Sequence, residues 1–174
     1  MSDPHQFLCE TLERYEKPLI RYAQNYVGQL DDARDIVQDV FIRLSQSLAT
    51  LDRDRLAPWL FTVCKNRATD HLRKYHRIVP MDTELLDLET SPTAGPGEEL
   101  EHQENLASMK DLLLKLPEKQ REAIRLKFIA DLSYKEISEV MKTSIGNVGY
   151  LIHHGIQTLR EHWATLDAEP QRTA

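Results

Sequence analysis

The chain has few residues of the kinds that build disulfide frameworks, glycine-rich nucleotide loops or β-sandwiches. Its 174 residues include 2 cysteines and 6 glycines, and aromatic residues make up 7% of the chain. Cys9 and Cys64 lie far apart, with neither CxxC spacing nor a nearby cluster of histidines. This spacing argues against a disulfide framework and against a zinc finger. We therefore predict two reduced thiols, no metal site and no cofactor.

Long apolar runs and a secretory leader are also missing. No apolar run approaches the roughly 18 residues that a membrane span needs, and the N-terminus lacks a charged segment followed by an apolar one. We therefore expect no membrane insertion and a cytoplasmic location. Apolar residues still make up 41% of the chain, enough to bury a core. The length predicts one or two small domains.

An excess of positive charge, typical of nucleic-acid-binding proteins, is absent, because the formal net charge is −6. The acidity lies in one segment, residues 81–104, which carries 8 Asp/Glu and 0 Lys/Arg. Residues 1–80 carry 12 Lys/Arg and 11 Asp/Glu, and residues 105–174 carry 10 and 9. The acidic segment also contains two prolines and two glycines and has no apolar periodicity. These features predict a flexible linker. The sequence thus predicts two domains, 1–80 and 105–174, each near charge balance.

The predicted linker has a direct consequence for proteolysis. Flexible, exposed segments are cut first, so limited proteolysis of the free protein should cleave first between residues 87 and 99. Two folded pieces should be released, which mass spectrometry would identify. Resistance in this segment would contradict the prediction and would indicate packed domains with an ordered linker.

Helical periodicity dominates both predicted domains, and no strand alternation is found, so the predicted fold class is all-α. From Asp35 onward, apolar residues recur on one face at about 100° per residue, and a second amphipathic helix is predicted from about Ala57 to Arg77. A helix around residues 12–27 would complete a three-helix bundle. The apolar stripes are Ile36, Val37, Val40, Phe41, Leu44 and Leu48 on the first of the two helices, and Phe61, Cys64, Ala68, Leu72 and Tyr75 on the second.

The outward faces of these two helices differ in character. On the first, Ile42 lies among acidic and amide side chains, which indicates either a solvated face with one stray apolar residue or a surface that binds a partner. On the second, basic, amide and hydroxyl groups follow one face, with Trp59 near its start. Such a face can contact phosphates and bases, or it can simply be solvated. The residues singled out are Asp35, Gln38, Asp39 and Ile42 on the first helix, and Trp59, Asn66, Arg73, Lys74 and Arg77 on the second.

The C-terminal part predicts a helix-turn-helix. Leu116-Pro117-Glu118 ends one helix and begins another, whose apolar residues include Ile124, Leu126, Phe128 and Ile129. Ser133 and Glu136 have the spacing of a capping box for a short helix, Tyr134 to Met141. Ser144 then caps a last helix to about Trp163, and two helices joined by about three residues form this motif. The stripe predicted to face inward is Ile145, Val148, Ile152, Ile156, Leu159 and Trp163, and the outward candidates for base contacts are Asn147, Tyr150, Leu151, His154 and Thr158.

Three runs in order carry a resemblance to a known family. DARDIVQDVFIRL at 32–44 and PWLFTVCKNRATDHLR at 58–73 resemble region 2 of the extracytoplasmic-function (ECF) sigma factors, which belong to the sigma-70 family. The third run has two parts, LPEKQREA at 116–123 and LSYKEISEV at 132–140, and it resembles region 4. The resemblance covers nearly the whole chain and places 1–80 as region 2, 81–104 as the linker and 105–174 as region 4.

The resemblance implies a sigma factor that binds core RNA polymerase and directs initiation at specific promoters. Asp35, Gln38, Asp39 and Ile42 would dock on the coiled coil of the polymerase β′ subunit. The loop and helix at about Ala49 to Arg77 would melt the −10 element and hold its non-template strand, and the outward face of the last helix would read the −35 element. Region 4 would also pack on the polymerase β flap. An anti-sigma factor is the expected regulatory partner.

Two departures and three other functions accompany this interpretation. The last helix has no Lys or Arg between Lys142 and Arg160, which predicts weak phosphate anchoring, and Lys142 stands where the family usually has glycine.

A helix-turn-helix regulator that is not a sigma factor is the main alternative. An adapter that binds only proteins would leave the basic face unused. An enzyme is disfavoured, because Cys64, His71 and His76 lie on one helix at spacings that do not converge on a site.

Overall fold

A computed structural model describes residues 3–78 and 111–168 of the chain. All regular structure in these two stretches is helical, which confirms the predicted fold class. A short 3₁₀ turn, Arg53–Arg55, precedes α3, and a π-helical turn, Arg125–Ile129, continues α5. The helices are α1 (Pro4–Val27), α2 (Leu30–Ser47), α3 (Leu56–Ile78), α4 (residues 111–115), α5 (Glu118–Ile124), α6 (Tyr134–Met141) and α7 (Ile145–Ala168).

Helix α1 begins eight residues earlier than its apolar pattern predicts. The Asp3 carboxylate accepts a hydrogen bond from the His5 backbone N–H at 3.1 Å, and Pro4 occupies the first turn, where its missing N–H costs nothing. The helix ends at Gly28, whose φ of 82° suits glycine. Local capping, which apolar periodicity does not report, therefore sets both ends of α1.

The core of the first half follows the predicted stripes with one exception. Ile36, Val37, Val40 and Leu44 of α2 are buried, as are Phe61, Cys64 and Ala68 of α3, where the side chains meet those of α1. The Phe61 ring contacts the buried Tyr22 ring edge-on, with 5.3 Å between centroids. Tyr75, predicted on the inward stripe, is instead exposed near the end of α3.

The second half has the predicted helix-turn-helix. Ser133 and Glu136 form both hydrogen bonds of the capping box, and Ser144 Oγ accepts from the Asn147 N–H at 3.1 Å, so both predicted caps are confirmed. Lys142 between the two helices is left-handed, with φ 52° and ψ 50°. A left-handed backbone is strained for any residue that has a Cβ. This strain was predicted, because Lys142 stands where the resembling family usually has glycine.

The π-helical turn changes the orientation of the side chains after Ile124. Ile124 and Leu126 are buried, but Phe128, predicted among the apolar residues of this helix, is 61% exposed. A π-turn contains an extra residue, which rotates the following side chains relative to an α-helical register. The sequence pattern assumes 3.6 residues per turn throughout, so it gave no indication of this exposure.

The described halves pack against each other and share one hydrophobic core cluster. Helix α3 contacts α6, and α1 contacts the π-helical turn. The predicted linker, 81–104, lies outside the described residues. The boundaries 1–80, 81–104 and 105–174 therefore stay predictions.

Candidate functional site

The four residues predicted to dock on polymerase form one exposed patch on α2, which we call the α2 patch: Asp35, Gln38, Asp39 and Ile42. Ile42 is 48% exposed, although it belongs to a helix whose other face is fully packed. The Asp39 carboxylate lies 3.8 Å from the guanidinium of Arg67 on α3. The packing of α1, α2 and α3 thus leaves this mixed apolar and acidic surface accessible to a partner.

The basic face of α3 lies on the outside of the same three helices. Asn66, Arg73 and Lys74 are exposed, and Arg73 lies 3.5 Å from the exposed Asp70 carboxylate. Trp59 differs from the expected outward side chain, because it is half-buried and packs against the core. The side chain of Arg77 lies outside the described residues. Three of the five candidates are therefore placed together at the surface.

The candidates on α7 divide between surface and interior. Asn147 and Tyr150 are exposed, and His154 and Thr158 are half-buried. The Thr158 hydroxyl donates to the His154 carbonyl at 3.0 Å, and the Tyr150 and His154 rings lie 4.1 Å apart. The outward placement of Leu151 is wrong, because this side chain is only 7% exposed.

The burial of Leu151 follows from how α7 packs. The buried stripe runs through Val148, Ile152 and Gly155, while Ile145, predicted to face inward, is exposed. A Cβ at Gly155 would lie 2.7 Å from Ile124 Cδ1, so α7 and α5 approach closely at this glycine. A pattern of apolar side chains does not include glycine, so it misses Gly155 as a contact point. The buried face of α7 is therefore rotated toward Leu151 relative to the predicted one.

A buried carboxylate that the sequence interpretation did not single out lies between the halves. Glu122 of α5 is only 3% exposed. The Tyr22 hydroxyl donates to its Oε1 at 2.6 Å, the Tyr26 hydroxyl donates to its Oε2, and Lys65 Nζ lies 3.2 Å from Oε1. We call these four residues the Glu122 cluster. The only sequence signal was the Tyr22 and Tyr26 pair at i, i+4, which places two hydroxyls on one face of α1.

The electrostatics of the Glu122 cluster keep both phenols protonated. Burial, followed by the charge of Glu122, raises the pKa of Tyr22 and of Tyr26 well above the ordinary value. Burial also raises the pKa of the neighbouring Cys64 thiol to about 12, with a further contribution from Glu122. Two neutral donors and one ammonium group therefore surround the carboxylate, and Cys64 is unreactive at neutral pH.

A cleft of about 310 Å³ opens beside the Glu122 cluster, between α3 and the helix-turn-helix. Lys65 lines it from the first half, and Asn147 and Leu151 line it from α7. Two of the predicted base-reading residues therefore face the first half of the chain. The other lining residues are Glu118, Lys119, Glu122, Val140, Met141, Lys142 and Thr143.

Residues 3–78 and 111–168 contain neither a candidate metal centre nor a candidate membrane span. No group of three or more His, Cys, Asp or Glu side chains in this part of the chain could hold a metal ion. No helix between residues 3 and 78 or 111 and 168 is long and apolar enough to cross a membrane.

Comparison with known proteins matches both halves of the chain to one family. Residues 11–78 match Sigma-70 region 2, and residues 106–159 match Sigma-70, region 4. The ECF RNA polymerase sigma factor SigM of Bacillus subtilis is 27% identical over 152 residues, covering 87% of this chain and 91% of SigM. SigE of Mycolicibacterium smegmatis is 30% identical over 167 residues, covering 95% of this chain and 65% of SigE.

The chain belongs to the ECF group of the sigma-70 family. It is an RNA polymerase sigma factor, so regions 2 and 4 imply binding to RNA polymerase and to DNA. Sigma factors are initiation factors and are generally not enzymes. This agrees with the interpretation of the three runs, and it does not favour a regulator that acts without polymerase.

Solved structures support the fold of this sigma factor. CnrH, in complex with the cytosolic domain of CnrY, matches with a TM-score of 0.68 and 24% identity, covering 95% of this chain and 91% of CnrH. The sigma factor RpoE of Bartonella quintana, in complex with the anti-sigma factor NepR, matches with a TM-score of 0.68 and 22% identity, covering 90% of this chain and 96% of RpoE. At these identities the likeness is one of fold.

Proposed function

We propose that this sigma factor docks on the coiled coil of the polymerase β′ subunit through the α2 patch. The observation that supports this most directly is the exposure of Ile42 among Asp35, Gln38 and Asp39, on a helix whose opposite face is buried. An exposed apolar residue ringed by polar groups is typical of the centre of a protein interface. Run-off transcription with purified core polymerase tests the proposal, because a sigma factor makes the core enzyme start at a defined position.

The exposed basic face of α3 is proposed to hold the non-template strand of the −10 element. Arg73 and Lys74 supply permanent positive charge for phosphates, and Asn66 supplies an amide for hydrogen bonds to bases. The half-buried Trp59 is held by the core and offers its remaining surface for stacking. The role of Arg77 remains a prediction from the sequence.

Replacement of both Arg73 and Lys74 by Ala should weaken promoter binding by the holoenzyme in a salt-dependent way. Each lost phosphate contact reduces the magnitude of the slope of log K against log salt by about 0.7 to 0.9, so the magnitude should fall by about 1.4 to 1.8. Titration of labelled promoter DNA at several salt concentrations measures this. The matched control is Arg14→Ala with Lys17→Ala on the exposed face of α1; an equal loss in the control would contradict the assignment.

The helix-turn-helix is proposed to read the −35 element with α7, while lysines outside α7 anchor the phosphates. Lys135 and Lys142 are exposed, whereas Lys127 Nζ donates to the Leu132 carbonyl at 3.3 Å and lies 5.9 Å from the centre of the Tyr134 ring. Asn147 at the start of α7 has the amide suited to adenine. In this proposal the residues that contact bases lie on α7, and the lysines that contact phosphates lie outside it.

This separation predicts opposite effects for two variants of the holoenzyme. Asn147→Ala should reduce discrimination between the preferred and a mutated −35 base roughly fivefold or more, with an unchanged salt slope. Lys135→Ala with Lys142→Ala should reduce the magnitude of the slope by about 1.4 to 1.8 and leave discrimination unchanged. Competition binding with the two DNA sequences at several salt concentrations measures both. A change of slope in Asn147→Ala would show that the surfaces are misplaced.

Two further partners complete the proposal. Region 4 is proposed to pack on the polymerase β flap, and the exposed Phe128 on the π-helical turn offers an apolar contact for it. An anti-sigma factor is the proposed regulator, which is supported by the similarity in fold to sigma factors solved with such partners. Because the proposed partners, core polymerase and promoter DNA, lie in the cytoplasm, we propose a cytoplasmic location. We propose no catalytic residue and no cofactor.

A further inference from the structure

We propose that Thr143 is a positioning residue that holds the Asn147 amide in the orientation that reads adenine in the −35 element. Thr143 lies in the turn before α7, and none of the functions proposed above uses it. The inference rests on the proposed reading of the −35 element by α7. The contact between the two side chains lies within the helix-turn-helix, so it does not depend on how the halves of the chain pack.

Hydrogen bonds fix the backbone on both sides of this contact. Thr143 follows the left-handed Lys142, and its backbone N–H donates to the Ser138 carbonyl at 3.0 Å. This bond is the one that closes a Schellman motif at the end of a helix. On the other side, the Ser144 hydroxyl accepts from the Asn147 backbone N–H at 3.1 Å. The two side chains therefore start from backbone positions that are already set.

The side chain of Asn147 would have considerable freedom without Thr143. Asn147 is exposed, and the last torsion of an asparagine side chain is broadly distributed. Its Nδ2 donates to Thr143 Oγ1 at 2.9 Å, and Thr143 itself is half-buried. The hydroxyl therefore restricts the amide to one orientation before DNA arrives. Ordering a side chain in advance strengthens binding, because less conformational entropy is lost on contact.

The orientation of the amide decides which base it matches. The bond to Thr143 uses one Nδ2 hydrogen and leaves the other Nδ2 hydrogen and the Oδ1 acceptor. A donor beside an acceptor matches N7 and the N6 amino group of adenine. In the opposite orientation the Thr143 hydroxyl would donate to Oδ1, and the two donors left over would match O6 and N7 of guanine. Thr143 therefore selects adenine over guanine.

Thr143→Val tests this role in the holoenzyme, because it removes the hydroxyl and keeps the β-branched shape. The base pair that Asn147 reads is found first, as the one at which Asn147→Ala lowers discrimination. At that pair the wild type should prefer adenine to guanine, and Thr143→Val should reduce this preference roughly threefold or more, the factor expected for one hydrogen bond. The slope of log K against log salt should stay unchanged, since no phosphate contact is lost. Competition binding with the two duplexes measures both.

Three further variants separate positioning from a loss of stability. Thr143→Ser keeps the hydroxyl and should restore the preference for adenine. Thr11→Val makes the same substitution on α1, where the hydroxyl donates to the Phe7 carbonyl at 2.7 Å, and should leave the preference unchanged. Thr143→Ala removes the same hydroxyl and replaces Thr143→Val if circular dichroism shows that the valine variant is unfolded. An unchanged preference without the hydroxyl, an equal loss in Thr143→Ser, or a wild-type preference for guanine would overturn the proposal.

The positioning itself is measured without DNA, by NMR relaxation of the Asn147 side-chain amide in the full-length chain. Relaxation reports motion on the picosecond to nanosecond timescale. We expect an ordered amide in the wild type and in Thr143→Ser, and a mobile amide in Thr143→Val. Equal order in the wild type and in Thr143→Val would overturn the positioning role, whatever the effect of the substitution on DNA binding.

The two measurements together distinguish failure of this role from failure of the proposed function. If Asn147→Ala leaves discrimination unchanged at every position of the −35 element, the proposed base reading by Asn147 fails, and the selection of adenine by Thr143 fails with it. If Asn147→Ala lowers discrimination but Thr143→Val does not, the proposed base reading stands and only the role of Thr143 is overturned.

Discussion

Replacement of Asp39 by Arg together with Ile42 by Glu should lower the affinity for core RNA polymerase by at least about 30-fold. Central interface residues are worth about 2 kcal/mol each, and every 1.4 kcal/mol is a factor of ten in affinity. The apolar contact of Ile42 is lost, and the charge at Asp39 is reversed. Fluorescence anisotropy of labelled sigma factor titrated with core enzyme gives the affinity.

The same double variant should remain folded, because neither side chain belongs to the core. The exposed Asp39–Arg67 pair is lost, and exposed pairs contribute only about 0–1 kcal/mol. A matched control exists on α1, where Leu12 and Glu13 are exposed neighbours: Leu12→Glu with Glu13→Lys makes the same kinds of change. Core affinity equal to that of the wild type in the α2 variant, or an equal loss in the control, would remove the α2 patch as the docking surface.

Replacement of Phe61 by Ala should lower the free energy of unfolding by about 3–5 kcal/mol, the range for removing a buried phenylalanine. Phe61 is fully buried on α3 and packs edge-on against Tyr22, which also donates to Glu122. The cavity would therefore lie where the cores of the two halves meet. Urea unfolding followed by circular dichroism measures the change.

Phe128→Ala is the matched substitution, since it removes the same ring from an exposed position on the π-helical turn. Exposed substitutions usually change stability by less than about 0.5 kcal/mol, so its effect should be small. Comparable losses in the two variants would mean that Phe128 is buried and that the π-helical turn is misplaced. A small loss for Phe61→Ala alone would mean that its site collapses around the smaller side chain.

Several features could be predicted from the sequence because neighbours along the chain determine them. The amphipathic stripes of α2 and α3, the Ser133–Glu136 capping box and the Ser144 cap depend on residues within one or two turns of each other. The exposure of the α2 patch followed from the same periodicity, because packing one face of a helix leaves the other outside. The roles assigned to the patch and to the DNA-facing residues remain predictions.

Features that depend on contacts between distant elements were wrong or missed. The burial of Leu151 depends on the close approach of α7 to α5 at Gly155, and the exposure of Phe128 depends on one π-helical turn. Periodicity along a single helix contains no information on either, since it assumes a regular helix and counts only apolar side chains.

The sequence by itself determined the helical class, the caps, the amphipathic faces and, through its three runs, the family of this sigma factor. Only the tertiary structure decided how the halves meet, because Glu122 is separated from Tyr22 by 100 residues along the chain. In the sequence Glu122 is one of 28 acidic residues, with no local feature that marks it as buried. Its burial becomes favourable only when hydroxyls from α1 and an ammonium group from α3 converge on it, since an unpaired buried carboxylate would be strongly destabilising.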